Sequence, residues 1–195
     1  MRLGKDLVNK PIYSIGDGRS LGVVKDIYLD NDLIQITGIY TGQEGVLRRK
    51  SFLIPRPSVV LFGIDAILVK NADVVVEETA VEESANWVRL SKLRGREVDT
   101  PNGTKVAAVG DVIIAEEGDL VGLALSKVFV EGPIAEKGAI ARAALIDTGS
   151  QDGIITLDLT KAETTDLAPA TSEPDTSAPH PSPEKAATTL PDEEV

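Results

Sequence analysis

Few side chains in this sequence combine the type and the spacing that chemistry needs. The chain has no cysteine, and its lone histidine, His180, lies in a proline-rich stretch near the C-terminus. A Ser-His-Asp triad, a cysteine nucleophile, a thiolate metal site or a His-rich metal cluster therefore has no components within the body of the chain. Gly16-Asp17-Gly18 is too short for a phosphate-cradling loop and lacks the strand, Gly-rich turn and helix around it. Asp26, Asp30 and Asp32 offer carboxylates to a hard cation, but without the spacing or the closing glutamate of a calcium loop. No catalytic, cofactor-binding or metal-ligating residue is assigned. A non-enzymatic chain without a cofactor is expected.

What remains is recognition chemistry. Arg48-Arg49-Lys50, with Arg56 nearby and Phe52 beside them, is the densest basic run of the body. It reads as a solvated loop or as a dock for an acidic protein, RNA or anionic headgroups. A second cluster, Arg89, Lys92, Arg94 and Arg96, follows later. Trp87, the only tryptophan, reads as a plug between halves or as an exposed anchor. Arg48, Arg49, Lys50, Arg56 and Trp87 are the candidate partner-binding residues. The net charge of −11 works against a general pull towards nucleic acid or anionic lipid. A protein partner is expected, and nucleic acid only through the local basic run.

The elements that must position these residues are legible in the pattern. A chain of 195 residues suits one or two small domains, and 42% apolar content with only 4% aromatic demands an aliphatic core. Asp17-Gly18 and Asn102-Gly103 are tight-hairpin dipeptides 85 residues apart. Each is followed by an alternating apolar strand, and Asp26 recurs as Asp111. Upstream, Leu7 to Ile12 matches Leu93 to Val98; downstream, Phe52-Leu53-Ile54 faces Ala139-Ile140-Ala141. The chain thus repeats one motif of short strands, a signature to seek before any other. The recurring aspartates read as carboxylates bonding backbone N–H groups at a bulge, with a shared ligand site as the alternative.

Residues 163–195 hold six of the eleven prolines and eight acidic groups against Lys185 alone. They supply −7 of the charge, and residues 1–162, with 19 basic and 23 acidic groups, supply −4. Such a stretch buries too little apolar surface to order itself. The expected organisation is repeat 1 over 1–76, an acidic linker or short exposed helix over 77–87, a degenerate repeat 2 over 88–161, and a disordered tail over 162–195. No apolar signal region follows Met1, and the best apolar stretch, Ser58 to Val69, is short and interrupted by Asp65. A cytoplasmic location is expected, with membrane contact at most peripheral.

The hairpin Asp17-Gly18-x-x-Leu21-Gly22-x-Val24-x-Asp26-Ile27, with Phe52-x-Ile54-Pro55, Ser58-Val59 and Gly63-x-Asp65-Ala66-Ile67, resembles the PRC-barrel signature. The first copy spans nearly all of 2–76. The second, about 88–160, has Ala107 where Gly22 stands, Arg142 where Pro55 stands, and Ala139 opposite Phe52. The resemblance implies an all-β chain of two tandem small antiparallel barrels. Such barrels form the cytoplasmic domain of the photosynthetic reaction centre H subunit, the C-terminal half of ribosome maturation factors, and short stand-alone proteins, some tied to sporulation or cell division. The membrane helix of the first and the dissimilar partner domain of the second have no counterpart in this sequence. A protein-interaction adaptor at the cytoplasmic side of a membrane complex is the expected function. The alternative is an RNA-process role, binding a ribosomal protein or rRNA. A small molecule inside one barrel ranks last, because barrels this small are packed solid.

Overall fold

The computed structural model describes residues 1–45, 48–150 and 153–167. The first half contributes β1 (Arg2–Leu3), β2 (Pro11–Ser14), β3 (Ser20–Val23), β4 (Asp26–Leu29), β5 (Ile36–Glu44), β6 (Lys50–Pro55), β7 (Val59–Phe62), β8 (Ile67–Val69) and β9 (Val76–Glu77). The second contributes β10 (Val88–Arg89), β11 (Glu97–Asp99), β12 (Lys105–Ile114), β13 (Leu120–Val128), β14 (Ala139–Ala141), β15 (Leu145–Asp147) and β16 (Ile155–Leu157). Three short helices, α1 (Leu90–Leu93), α2 (Pro133–Lys137) and α3 (Leu159–Thr164), lie in the second half.

The duplicated turns form as their residues dictate. Gly18 and Gly103 take φ of 70° and 77°, and Asn9 and its counterpart Gly95 take 68° and 84°, a region open to glycine and tolerated by asparagine. Asn9 N–H then bonds Val24 O at 2.7 Å, and Gly95 N–H bonds Val109 O at 2.8 Å.

Two expectations need correction. The ladders do not close into rings. The first half splits into a four-stranded sheet, β3-β2-β8-β7, and a five-stranded sheet, β10-β4-β5-β6-β9; the second forms the path β14-β13-β12-β11-β16-β15, to which β1 is added. Nor are they wholly antiparallel: β2 pairs β8, and β11 pairs β16, in parallel. The split arises because β12 is one continuous strand, whereas its counterpart is interrupted at Val24-Lys25 into β3 and β4. The repeat register also shifts. Pro55 and Ala141 occupy the same place, opposite Gly38 and Gly122. Arg142 is therefore the counterpart of Arg56, and Ala139 that of Leu53. Each of these arginines opens a 3₁₀ turn, Arg56–Ser58 and Arg142–Ala144.

The halves exchange strands. β1 pairs with β12 of the second half, Arg2 opposite Ile114, and β10 pairs with β4 of the first, Val88 opposite Leu29. A helical turn follows each exchanged strand, Gly4–Asp6 and α1. That turn delivers a donor to the recurring aspartate of the other half. Lys5 N–H bonds Asp111 Oδ1 at 3.2 Å, and Ser91 Oγ–H bonds Asp26 Oδ2. Each carboxylate also accepts the following N–H, Ile27 at 2.9 Å and Val112 at 2.8 Å, the bonding to backbone expected of these residues. Asp26 is 7% and Asp111 4% exposed. A Cβ on Gly4 would stand 2.6 Å from Val112 Cγ2, so only glycine lets the exchanged strand approach this closely.

The hairpin tips cross in the same sense. Ile36 N–H bonds Gly118 O at 2.8 Å, and Leu120 N–H bonds Ile34 O at 2.7 Å. Arg142 Nε–H bonds Leu33 O at 2.9 Å, and Arg56 reaches Glu117 O. One aliphatic core runs through both halves, from Leu7 and Ile12 to Leu157 and Ala162.

The acidic stretch expected as a linker holds β9 and two 3₁₀ turns, Glu78–Ala80 and Glu82–Asn86, with Ser84 buried. At the other end α3 carries order past the expected tail boundary at 162. Ala162 is buried, and Asp158 caps the helix by accepting Lys161 N–H at 3.1 Å. The remainder of the expected tail, 168–195, including His180, lies outside the described residues, as does Asp152.

Two outcomes follow for stability. Asp26→Ala and Asp111→Ala each strip a charged acceptor from buried donors, so each is expected to lower unfolding free energy by about 1.5–3 kcal/mol in urea titrations. The wild-type chain is expected to unfold in one transition; two separated transitions would show that the exchanged strands do not couple the halves.

Candidate functional site

The first-half four-stranded sheet has a face that nothing in the described residues covers. Alternation along β2 and β8 turns Ile12, Ile67 and Val69 inward and Tyr13 and Leu68 outward. Tyr13 lies opposite Leu68, and Leu68 opposite Leu61 of β7. Tyr13 is 41% and Leu61 52% exposed. Ile15 and Val60 extend this apolar row, and Ile64 stands at the turn beyond β7.

The second half supplies an internal control. Its corresponding row is Asp99, opposite Thr156, opposite Asp147. Ile146 and Ile154 remain exposed beside that row, but its centre is polar. Identical pairing thus carries an apolar centre on one unit and an acidic one on the other. Backbone geometry does not require the apolar choice.

The residues singled out from the sequence do not gather into one site. Arg48 and Arg49 are exposed beyond the start of β6, next to Val46 and Leu47, which lie outside the described residues. Lys50 forms an ion pair with Glu77. Arg56 bonds Val59 O at 3.2 Å and Glu117 O, and its guanidinium lies 5.0 Å from the Phe62 ring centre. The basic run is thus divided: two exposed arginines, one paired lysine, and one arginine committed to the seam between halves. Arg56 and Trp87 do line a common cleft of about 380 Å³ with Ile36 and Pro55. Arg49 and Lys50 line another, of about 470 Å³, with Glu77 and Glu82.

Trp87 is half-buried and packs on the first half. Its ring is 5.7 Å from that of Tyr28, and a Cβ on Gly38 would fall 3.2 Å from it. The second basic cluster also disperses. Arg89 stacks over Tyr40 at 3.8 Å, donates to Tyr28 Oη at 2.8 Å and pairs with Glu78 at 3.3 Å. Arg94 bonds Asp111 at 2.7 Å. Arg96 donates to Ser150 O at 2.7 Å. Of these, the Arg89 contacts with Tyr28 and Tyr40 fix β10 to the first half, whereas Arg94 and Arg96 bond within the second. Burial, and then a hydrogen bond with Glu78, pushes the Tyr28 phenol above its ordinary value of 10.0.

Asp30 is occupied with backbone, and Asp26 with backbone and Ser91. Asp30 Oδ1 accepts Ile34 and Gln35 N–H at 2.7 and 2.8 Å, shaping the β4–β5 turn. Among the described residues no group of three or more His, Cys, Asp or Glu side chains converges to hold a metal. Among those same residues no helix is long and apolar enough to cross a membrane.

Tyr13, Leu61 and Leu68 were missed in the sequence because each reads as ordinary strand material. The available signal was the repeat itself: in the correct register these positions change from apolar to acidic or hydroxyl-bearing.

The fold defines a duplicated, mostly β module. The PRC-barrel domain model matches twice, over residues 1–79 and 86–162. The chain belongs to the PRC-barrel family, in a tandem arrangement. No curated protein matches the chain.

The Tyr28 environment makes a spectroscopic prediction. A phenol with a raised folded value stabilises the fold fully below the ordinary tyrosine pKa, and this contribution is lost as pH climbs towards the folded value. Ultraviolet titration of the native chain is expected to show a late tyrosinate step above pH 10.0, accompanied by falling stability. Tyr28→Phe should remove that step; its survival would assign the late step to another tyrosine.

Proposed function

We propose that this chain is a non-catalytic protein-interaction adaptor, and that it docks its partner on the outer sheet face of the first PRC-barrel unit. The observation that carries this reading is the Tyr13, Leu68 and Leu61 row, set against Asp99, Thr156 and Asp147 in the same register of the second unit. Exposed apolar patches on a soluble surface mark interaction sites more often than scattered single residues do. An aromatic flanked by aliphatics suits the buried centre of an interface.

The partner we propose is a subunit of a membrane-bound assembly, met at its cytoplasmic side, with this chain as a peripheral component or assembly factor. The likeness of the first unit to the reaction-centre barrel supports that setting. The RNA-process reading is less favoured, because Lys50 and Arg56 are engaged within the chain.

The test is affinity purification from the native cell with full-length wild type and with a Tyr13→Asp/Leu61→Asp double variant. Both substitutions are at exposed positions, so folding should survive, as circular dichroism would confirm. Wild type is expected to enrich membrane-complex subunits, and the variant to lose them by roughly tenfold or more. Equal enrichment would sink the proposed face. Capture of ribosomal components that weakens steeply with salt would favour the RNA-process role instead.

A further inference from the structure

The two units differ in how far their central strands stay together. In the second unit β13 accompanies β12 past the bend at Gly110, with Ala108 opposite Lys127 and Ala107 opposite Val128. Phe129 N–H then bonds Val106 O at 2.8 Å. The approach is close: a Cβ on Gly110 would stand 2.9 Å from Ser126 N. Val106 and Ala107 are consequently 0% exposed.

In the first unit no described residue supplies this cover. The last bond from this stretch of chain to β5 is Lys25 N–H to Tyr40 O at 2.8 Å. Beyond it Gly42, Gln43 and Glu44 pair with Phe52, Ser51 and Lys50 of β6. Among the described residues β3 is the end strand of its sheet, paired only with β2. Leu21, the counterpart of Val106, is half exposed, and a Cβ on Gly22 would meet nothing within 4 Å. Lys25 is exposed where its counterpart Gly110 is covered.

We infer that the first unit takes up an extended segment of its partner as an added strand along β3, antiparallel to it, in the place that β13 holds in the second unit. The inference rests on the adaptor reading and supplies its binding mode. An open strand edge is a template for another chain: backbone bonds give affinity, and alternate side chains give specificity. The second unit shows what fits. Val128 and Val130 pack against the core, with the exposed Lys127 and Phe129 alternating with them. The partner segment therefore carries apolar, β-branched residues at alternate positions and polar residues between them. An acidic residue near the bend would meet Lys25.

The experiment is amide hydrogen exchange on the full-length chain, alone and with a synthetic peptide of the sequence of residues 123–131, against a scrambled control. Exchange across Leu21–Val23 is expected to be fast in the free chain relative to Val106–Ala108, and to slow by about tenfold or more with the peptide. The Tyr13→Asp/Leu61→Asp variant should show the same slowing, since those side chains lie on the sheet face and not on the β3 edge. Absence of slowing, or equal slowing by the scrambled peptide, overturns the inference. Protection already present in the free chain also overturns it; if that protection grows with protein concentration, a second copy occupies the edge, and if it does not, the chain covers the edge itself. Loss of partner capture in the double variant with no peptide effect at β3 removes strand addition and leaves the adaptor reading standing.

Discussion

A carboxylate buried without donors is among the costliest groups a fold can hold. Asp26 and Asp111 sit at 7% and 4% exposure, and each draws part of its hydrogen-bond shell from the opposite half of the chain. This mutual dependence organises everything else. Asp111 takes Val112 N–H and Arg94 from its own half and Lys5 N–H from the other; Asp26 takes Ile27 N–H from its own and Ser91 Oγ–H from the other. The exchanged strands β1 and β10 are two residues long and would hold little by themselves. Their value lies in carrying the turns that bring Lys5 N–H and Ser91 Oγ–H to the aspartates.

Symmetry-related positions perform matching tasks, within each half and at the seam: Asn9 and Gly95, Val24 and Val109, and Arg56 and Arg142. Positions away from the seam differ. One outer sheet face is apolar and the other acidic; one central strand is continuous and the other is in two pieces.

Much of this was legible in the residues. The hairpin dipeptides, the aliphatic core, the family resemblance and the backbone-bonding aspartates all follow from local pattern. What crossed between the halves was not. Ser91 lies 65 residues from Asp26, and Lys5 lies 106 from Asp111, so no local pattern announces either contact. The repeat register slipped because the turn between β4 and β5 holds one residue more than its counterpart, leaving Arg142 matched to Pro55 instead of Arg56. Arg48-Arg49-Lys50 read as one charge cluster because a sequence displays neighbours, whereas Glu77 and Glu117 O, which engage Lys50 and Arg56, arrive from elsewhere. Trp87 meets Tyr28 and Gly38, which a sequence does not set beside it.

The strand exchange also carries a lesson about valency. A chain with a single such unit would lack the donor that the exchanged turn brings, and a second copy could supply it through an isologous two-fold contact in which both surfaces are obliged to be the same. Joining the units through the Glu78–Asn86 segment makes that pairing intramolecular, at an effective concentration on the order of millimolar and independent of dilution. Tethering releases the two outward surfaces from identity. A homodimer built this way must present every patch twice. The fused chain presents Tyr13 and Leu61 once, with Asp99 and Asp147 in the matching places of its other unit.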